Sequence, residues 1–263
     1  MLKHRLIPVL LLQHGLLVRS ELFKIHQVIG NPIHEVERYN EWTVDELVYL
    51  DITTESEHYD LRRNDQKVRD LTDPIGILEH VARTCFMPLT WGGRIRSLDD
   101  MRARIARGAD KVTVNTEAVR DPELITRGAR VFGSQAIVVS IDVKRTEDGT
   151  PEVYVDGGSR PTGMHAAEWA REAEARGAGE ILLQSIDKDG TGKGYDLELI
   201  HDVATSTNVP VVACSGVGTW EHFAQGIEAG ASAVAAANIF HFHELSDRNA
   251  KRAMRKHGIE VRL

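Results

Sequence analysis

Two aspartates stand where a chain could use them for proton transfer. Asp142 follows the apolar run of "IVVSIDVKR" (137–145), and Asp189 follows "EILLQSID" (180–187) in an Asp-Gly-Thr turn. A carboxyl group fixed at the end of a buried strand can serve as general base or acid. The plainer readings are an ion pair of Asp142 with Lys144 or Arg145, and a loop cap for Asp189. Glycines suited to phosphate gather in two places. Ser215, Gly216 and Gly218 follow "VVAC", with Asn238 after "AVAA". Gly92, Gly93 and Thr116 make a matching set, and Gly190 follows Asp189. Glycine before a helix lets backbone N–H groups approach an anion. Two such sets across one mouth suggest an elongated substrate with a phosphate at each end; the alternative is that the glycines only make tight turns.

A third group is charged. Arg5, Glu46, Lys111 and Glu180 each begin an apolar run. Charges there that point inward must pair, because an unpaired buried charge is costly. Two cations and two anions could close a ring, or all four could be solvated strand ends. Cys214 has no histidine adjacent in sequence and reads as a small buried residue. The 12 histidines show no metal-ligand spacing, so no metal or cofactor is expected. "HFH" (241–243) reads as a helix start given to surface or partner structure.

The elements that must position these residues follow from patterning. Apolar runs at 5–12, 46–52, 87–91, 111–114, 136–142, 180–186, 211–214 and 233–237 read as strands covered on both faces. Helical patterns lie between them. Ser97 caps one that carries Leu98, Met101 and Ile105 and ends at Gly108. Asp121-Pro122 reads as an N-cap with proline at the first helical position. "HAAEWAREAEARG" stops at Gly177, and "TWEHFAQGIEAG" runs from Thr219 to Gly230. Eight strands alternating with helices over 263 residues predict a single (β/α)8 TIM barrel spanning 1–263. A doubly wound open sheet is the alternative, but no glycine-rich dinucleotide fingerprint follows the first strand.

An internal half-barrel repeat supports closure. "PLTWGGRIRSLDDMRARIARGADKVTVNT" (88–116) aligns without gaps on "PVVACSGVGTWEHFAQGIEAGASAVAAAN" (210–238), and "ELVYLDIT" (46–53) falls on "EILLQSID". "LIPVLLLQHG" (6–15) falls on 137–145, which places Leu11 opposite Asp142. Two segments interrupt the repeat: 13–31, expected as a long loop, and the charged stretch 54–73. A small hairpin is expected within 145–160, around Asp148-Gly149.

Composition sets limits. Net charge is −7 with no basic run, which argues against nucleic acid as the main partner. Two cysteines form no disulfide framework, so a reducing, cytoplasmic setting is expected. "MLKHRLIPVLLLQHG" has basic residues before an apolar run, as a signal peptide does. Its run is too short to span a bilayer and no small-residue cleavage site follows, so it reads as the first buried strand.

Several stretches resemble one family closely: "DELVYLDIT", "GADKVTVNTEAV", "FGSQAIVVSIDVKR", "RGAGEILLQSIDKDGTGKGYD", "IFHFHE" and "KHGIEVRL". They are similar to the cyclase subunit of imidazole glycerol phosphate synthase (HisF), over nearly the whole chain. The resemblance implies a (β/α)8 barrel with two phosphate half-sites, docked to a class I glutaminase, with ammonia passing through the barrel. It implies that Arg5, Glu46, Lys111 and Glu180 match the family's charged gate, and that Asp110 matches a position meeting the glutaminase. It assigns Asp189 to one of two essential aspartates and Asp142 to an accessory one.

The departures are specific. The family's other essential aspartate is Leu11 here, its first-loop lysine is Arg19, its glycine triplet reads Gly92-Gly93-Arg94, and its phosphate-site serine is Asn238. "IPVLLLQHG" resembles a HisF-like branch associated with sugar amidation in surface-polysaccharide synthesis. The leading expectation is therefore an ammonia-channelling barrel that serves sugar amidation. The alternatives are the histidine-pathway cyclase itself and a phosphate-sugar isomerase barrel without an ammonia partner.

Overall fold

A computed structural model describes residues 3–42, 44–54, 73–242 and 246–262. Its strands are β1 (Arg5–Gln13), β2 (Leu16–Glu21), β3 (Ile25–Gly30), β4 (Leu47–Asp51), β5 (Leu89–Gly92), β6 (Lys111–Val114), β7 (Ile137–Arg145), β8 (Pro151–Val155), β9 (Arg160–His165), β10 (Glu180–Ser185), β11 (Val211–Cys214) and β12 (Ala233–Ala236). The helices are α1 (Pro32–Glu41), α2 (Pro74–Thr84), α3 (Leu98–Ile105), α4 (Thr116–Arg120), α5 (Glu123–Phe132), α6 (Ala166–Ala175), α7 (Leu197–Ser206), α8 (Glu221–Glu228), α9 (Asn238–Phe242) and α10 (Ser246–Lys256). The parallel strands run β1-β4-β5-β6-β7-β10-β11-β12, and β12 pairs back to β1, so eight strands close a barrel ringed by helices.

The closure follows from side-chain alternation. Ile7, Val9 and Leu11 of β1 pack inward with Val48, Leu50, Val138, Leu182, Val212, Cys214, Ala233 and Ala235. The intervening Leu6, Leu10 and Leu12 face the helices and join Tyr49, Trp91, Val112, Val139 and Leu183 in the outer core. Strands buried on both faces have no polar period, which is why they read as continuous apolar runs. Each such leucine or valine taken from water contributes roughly 1.5–3 kcal/mol. Ser97 caps α3 as its sequence position predicts, its hydroxyl accepting from Asp100 N at 3.1 Å.

The two halves of the barrel carry matching additions. β1 and β7 each span nine residues and outrun their neighbours. β2 and β3 extend the end of β1 as an antiparallel arm, and β8 and β9 do the same for β7. The segment 13–31 is therefore an arm rather than the expected loop. Its turn places two non-glycine residues, Leu22 and Phe23, at φ +54° and +57°. The hairpin expected around Asp148-Gly149 is present, with Gly149 at φ +86° and Thr146 N donating to Thr150 O at 3.0 Å.

Two other expectations are corrected. Pro122, not Asp121, stands at the start of α5, and the Asp121 carboxylate accepts from Arg127 at 2.7 Å rather than capping the helix. His241 and Phe242 close α9 rather than start it. His243, and all of the charged stretch 54–73 apart from Thr54 and Asp73, lie outside the described residues. Among the described residues no helix is long and apolar enough to cross a membrane.

Candidate active site

At the N-terminal end of the barrel strands the four charged residues meet. Arg5 Nη1 donates to Glu46 at 2.6 Å, and its other terminal nitrogen donates to Glu180. Lys111 Nζ donates to Glu46 and to Glu180, both at 3.0 Å. Each cation therefore bridges both anions, and the ring is closed and electrically neutral. Their side chains are 8–19% exposed, so the pairs are shielded without being fully dry. Asp110 lies at the same end, on the loop entering β6. Its carboxylate accepts from Leu89 N at 2.8 Å while its own N–H donates to Leu89 O, also at 2.8 Å.

At the other end, Asp142 points into the barrel. Val138, Ser140 and Asp142 alternate inward along β7, as Ile7, Val9 and Leu11 do along β1, so the sequence repeat holds in space. Asp142 makes no ion pair with Lys144 or Arg145. Its Oδ1 accepts from Gln184 Nε2 at 3.0 Å and from the Ser140 hydroxyl at 3.3 Å. Burial pushes its carboxyl up to about 7, against the pull of the Gln184, Ser140 and Asn115 donors and with a further push from Asp189. A carboxyl that changes protonation near neutrality can both give and take a proton there.

The half-barrel mate of this polar pair is apolar. Leu11 lies beside Leu50 in the β1–β4 ladder, just as Asp142 lies beside Gln184 in the β7–β10 ladder. Leu11 is 8% exposed within the inner core. The mouth thus carries its acid–amide pair on one wall and two leucines on the wall across from it.

Asp189 does something different from Asp142. Its Oδ2 accepts from the Ser20 hydroxyl at 2.6 Å and from Phe23 N at 3.1 Å, and its carbonyl accepts from Leu22 N at 3.0 Å. It does not cap its own turn; it holds the tip of the β2–β3 arm across the mouth. Burial raises its carboxyl above the ordinary value, opposed by the Ser20 and Phe23 donors. Gly190 packs under the same arm, where an added Cβ would lie 2.4 Å from Ser20 O. Asp142 therefore faces the barrel interior, while Asp189 and Gly190 lie against the β2–β3 arm.

The two glycine sets lie on opposite rims, after β5–β6 and after β11–β12. They share one backbone shape: Gly93 and Arg94 have φ +96° and +56°, and their repeat mates Ser215 and Gly216 have +81° and +94°. Arg94 thus holds a left-handed conformation that glycine adopts freely. Gly93 and Gly216 are required by space as well, since a Cβ would meet Asp51 O at 2.1 Å and Gly194 O at 2.3 Å. Each rim is latched to an arm. The Thr116 hydroxyl accepts from Asp156 N at 2.9 Å, and Asn238 Nδ2 donates to Ser20 O at 2.9 Å.

Cys214 is buried and its thiol is pushed up to about 12 by that burial, which suits a packing residue and not a nucleophile. No group of three or more histidine, cysteine, aspartate or glutamate side chains suited to a metal occurs among the described residues. The sequence reading passed over Gln184 and Ser140. The available signal was the period of two: Glu180, Leu182 and Gln184 share one face of β10, and Ser140 shares the face of Asp142.

The model for the family described as "Histidine biosynthesis protein" matches residues 5–246. The chain is 42% identical over 264 residues to the "Imidazole glycerol phosphate synthase subunit HisF" of Natranaerobius thermophilus, covering all of both proteins. Identity of that extent along the whole barrel, with the family model spanning β1 to the start of α10, shows that the chain belongs to the HisF family of histidine biosynthesis proteins.

Proposed function

We propose that this barrel is the ammonia-using, ring-forming subunit of an imidazole glycerol phosphate synthase. The observation that carries the reading is the Asp142 carboxyl, buried at the mouth and poised near neutrality, in a chain 42% identical along its full length to such a subunit. Ammonia entering past the Arg5–Glu46–Lys111–Glu180 ring would meet an interior of Ile7, Val9, Val48, Val138, Leu182 and Val212. That lining suits a neutral molecule and penalises ammonium, whose charge would lose its hydration. Addition of ammonia to a carbonyl carbon builds charge on oxygen and leaves a proton on nitrogen. Asp142 can supply the first proton and, once ionised, accept the second.

The Gly93–Thr116 and Gly216–Asn238 rims would hold the phosphates of an elongated substrate. A class I glutaminase would supply ammonia by docking on the face that carries Asp110. Co-expression with such a glutaminase tests this part of the reading. The expected result is one peak in size exclusion and a rise in glutamine hydrolysis on mixing; separate elution with unchanged hydrolysis would refute it.

A second reading rests on Leu11. With leucine at the strand-1 position, the mouth keeps Asp189 and the accessory Asp142 but lacks the other of the two essential aspartates that the family resemblance implies, while the ring is complete. In that reading the barrel conducts ammonia to a separate sugar-amidating enzyme, as the resemblance of "IPVLLLQHG" suggests. The full-length relative favours the cyclase. Leu11, with the departures at Arg19, Arg94 and Asn238, favours the other.

A further inference from the structure

We infer that Gln184 is a positioning residue, held on β10 to fix the Asp142 carboxyl, together with Ser140, in a single orientation facing the barrel interior. The inference rests on the reading of Asp142 as the proton-transfer group, and it assigns that group its support.

Packing does not call for an amide at this position. The repeat mate of Gln184 is Leu50, a side chain of similar size that fills the corresponding place beside Leu11. Gln184 is 8% exposed, and a buried amide is unfavourable unless its donors and acceptors are used. Its use is visible. Nε2 lies 3.0 Å from Asp142 Oδ1 and 3.2 Å from the Ser140 Oγ, and that hydroxyl itself donates to the same Oδ1. Asn115 Nδ2 in turn holds the Ser140 carbonyl at 3.2 Å, which fixes the β7 backbone between the two side chains.

The donors converge on one carboxylate oxygen. A carboxyl held this way cannot rotate freely, and its ionised form is favoured by each donor. The titratable groups that bear on Asp142 are Asp189, from the loop after β10, and the Cys214 thiol on β11. Neither is a cation. Gln184 and Ser140, with a smaller contribution from Asn115, are therefore the restraint on a carboxyl that burial would otherwise keep protonated. The leucine pair across the mouth has no such requirement, which accounts for amide and acid occurring together in one half and for their joint absence from the other.

The test is an infrared titration of the carboxyl band in the full chain, with Asp142→Asn to assign the band. Gln184→Met keeps the side-chain volume and removes the donor. The Asp142 midpoint should rise by about one pH unit in Gln184→Met, the equivalent of one lost charge-assisted hydrogen bond. Ser140→Ala, a smaller change in volume, should raise it by less. A wild-type midpoint near neutrality that stays put in a folded Gln184→Met protein overturns the inference and leaves the Asp142 reading standing. Absence of any neutral-range band that Asp142→Asn removes would overturn the Asp142 reading and the inference with it. A drop in thermal stability with no change in midpoint would show a merely structural glutamine, and would also overturn it.

Discussion

Replacing Lys111 by methionine removes a cation from the ring and keeps most of its volume. In the wild type Lys111 Nζ lies 3.0 Å from Glu46 Oε2 and 3.0 Å from Glu180 Oε2, so those two oxygens are no more than about 6 Å apart. Two like charges roughly 6 Å apart at an effective dielectric of about 20 repel by ~3 kcal/mol. Arg5 still bridges both carboxylates in the variant, which lowers the penalty, while the lost Lys111 hydrogen bonds raise it. With side chains only 8–19% exposed, little is recovered from solvent. Lys111→Met should therefore lose about 2–3 kcal/mol in urea denaturation, below the 3–5 kcal/mol of a fully buried broken pair. Adding Glu180→Gln restores neutrality, and the double variant should recover more than half of the loss. A single variant within about 0.5 kcal/mol of wild type, or a double variant less stable than the single, would refute the closed-ring account.

Three further outcomes follow from the mouth and its rims. Because the folded Asp142 carboxyl lies near 7, above its unfolded value of about 4, its stabilising contribution is complete below pH 4 and is lost as pH rises through 7. Asp142→Asn should thus be the more stable protein at pH 8 by a few kcal/mol, with the difference gone by pH 4; denaturation at both values checks the sign. Arg94→Gly relieves a left-handed residue that costs about 1–2 kcal/mol and adds back about 0.5–1 kcal/mol of glycine entropy. Its melting temperature should stay level or rise by a few degrees, and a clear fall would mean that the Arg94 side chain holds the rim. Gly216→Ala forces a Cβ to within 2.3 Å of Gly194 O at φ +94°. It should lower the melting temperature by several degrees, and Gly93→Ala, whose Cβ would lie 2.1 Å from Asp51 O at φ +96°, should lower it at least as much; a thermal melt in which either variant matches the wild type would refute the tight-rim account.

How much of this was legible in sequence depends on where the controlling contacts lie. The barrel strands show themselves because burial on both faces leaves runs such as Leu6–Leu12 and Val211–Cys214 without a polar period. The ring positions show because a charge precedes each run in phase with its inward face. The arm at 16–30 did not show. Its turn is made by Leu22 and Phe23 in left-handed conformations that their own sequence does not favour, and it is held by Asp189, more than 160 residues away. The same distance hid the role of Asp189, whose sequence context describes its own loop and not the arm that it anchors. Gln184 was hidden for a simpler reason. A single amide in "EILLQSID" carries no chemistry until β7 places Asp142 beside it.

The measurement that bears most directly on the account supplies free ammonia and the histidine pathway's imidazole precursor to the barrel alone, so that no glutaminase is needed. The account predicts ammonia-dependent formation of the ring product, reduced on the order of 10²–10⁴-fold by Asp142→Asn. It also predicts faster turnover in Leu11→Asp, which supplies a second inward carboxyl across the mouth. No product above background from either the wild type or Leu11→Asp would contradict the cyclase, and would leave ammonia delivery to another enzyme as the function of this barrel.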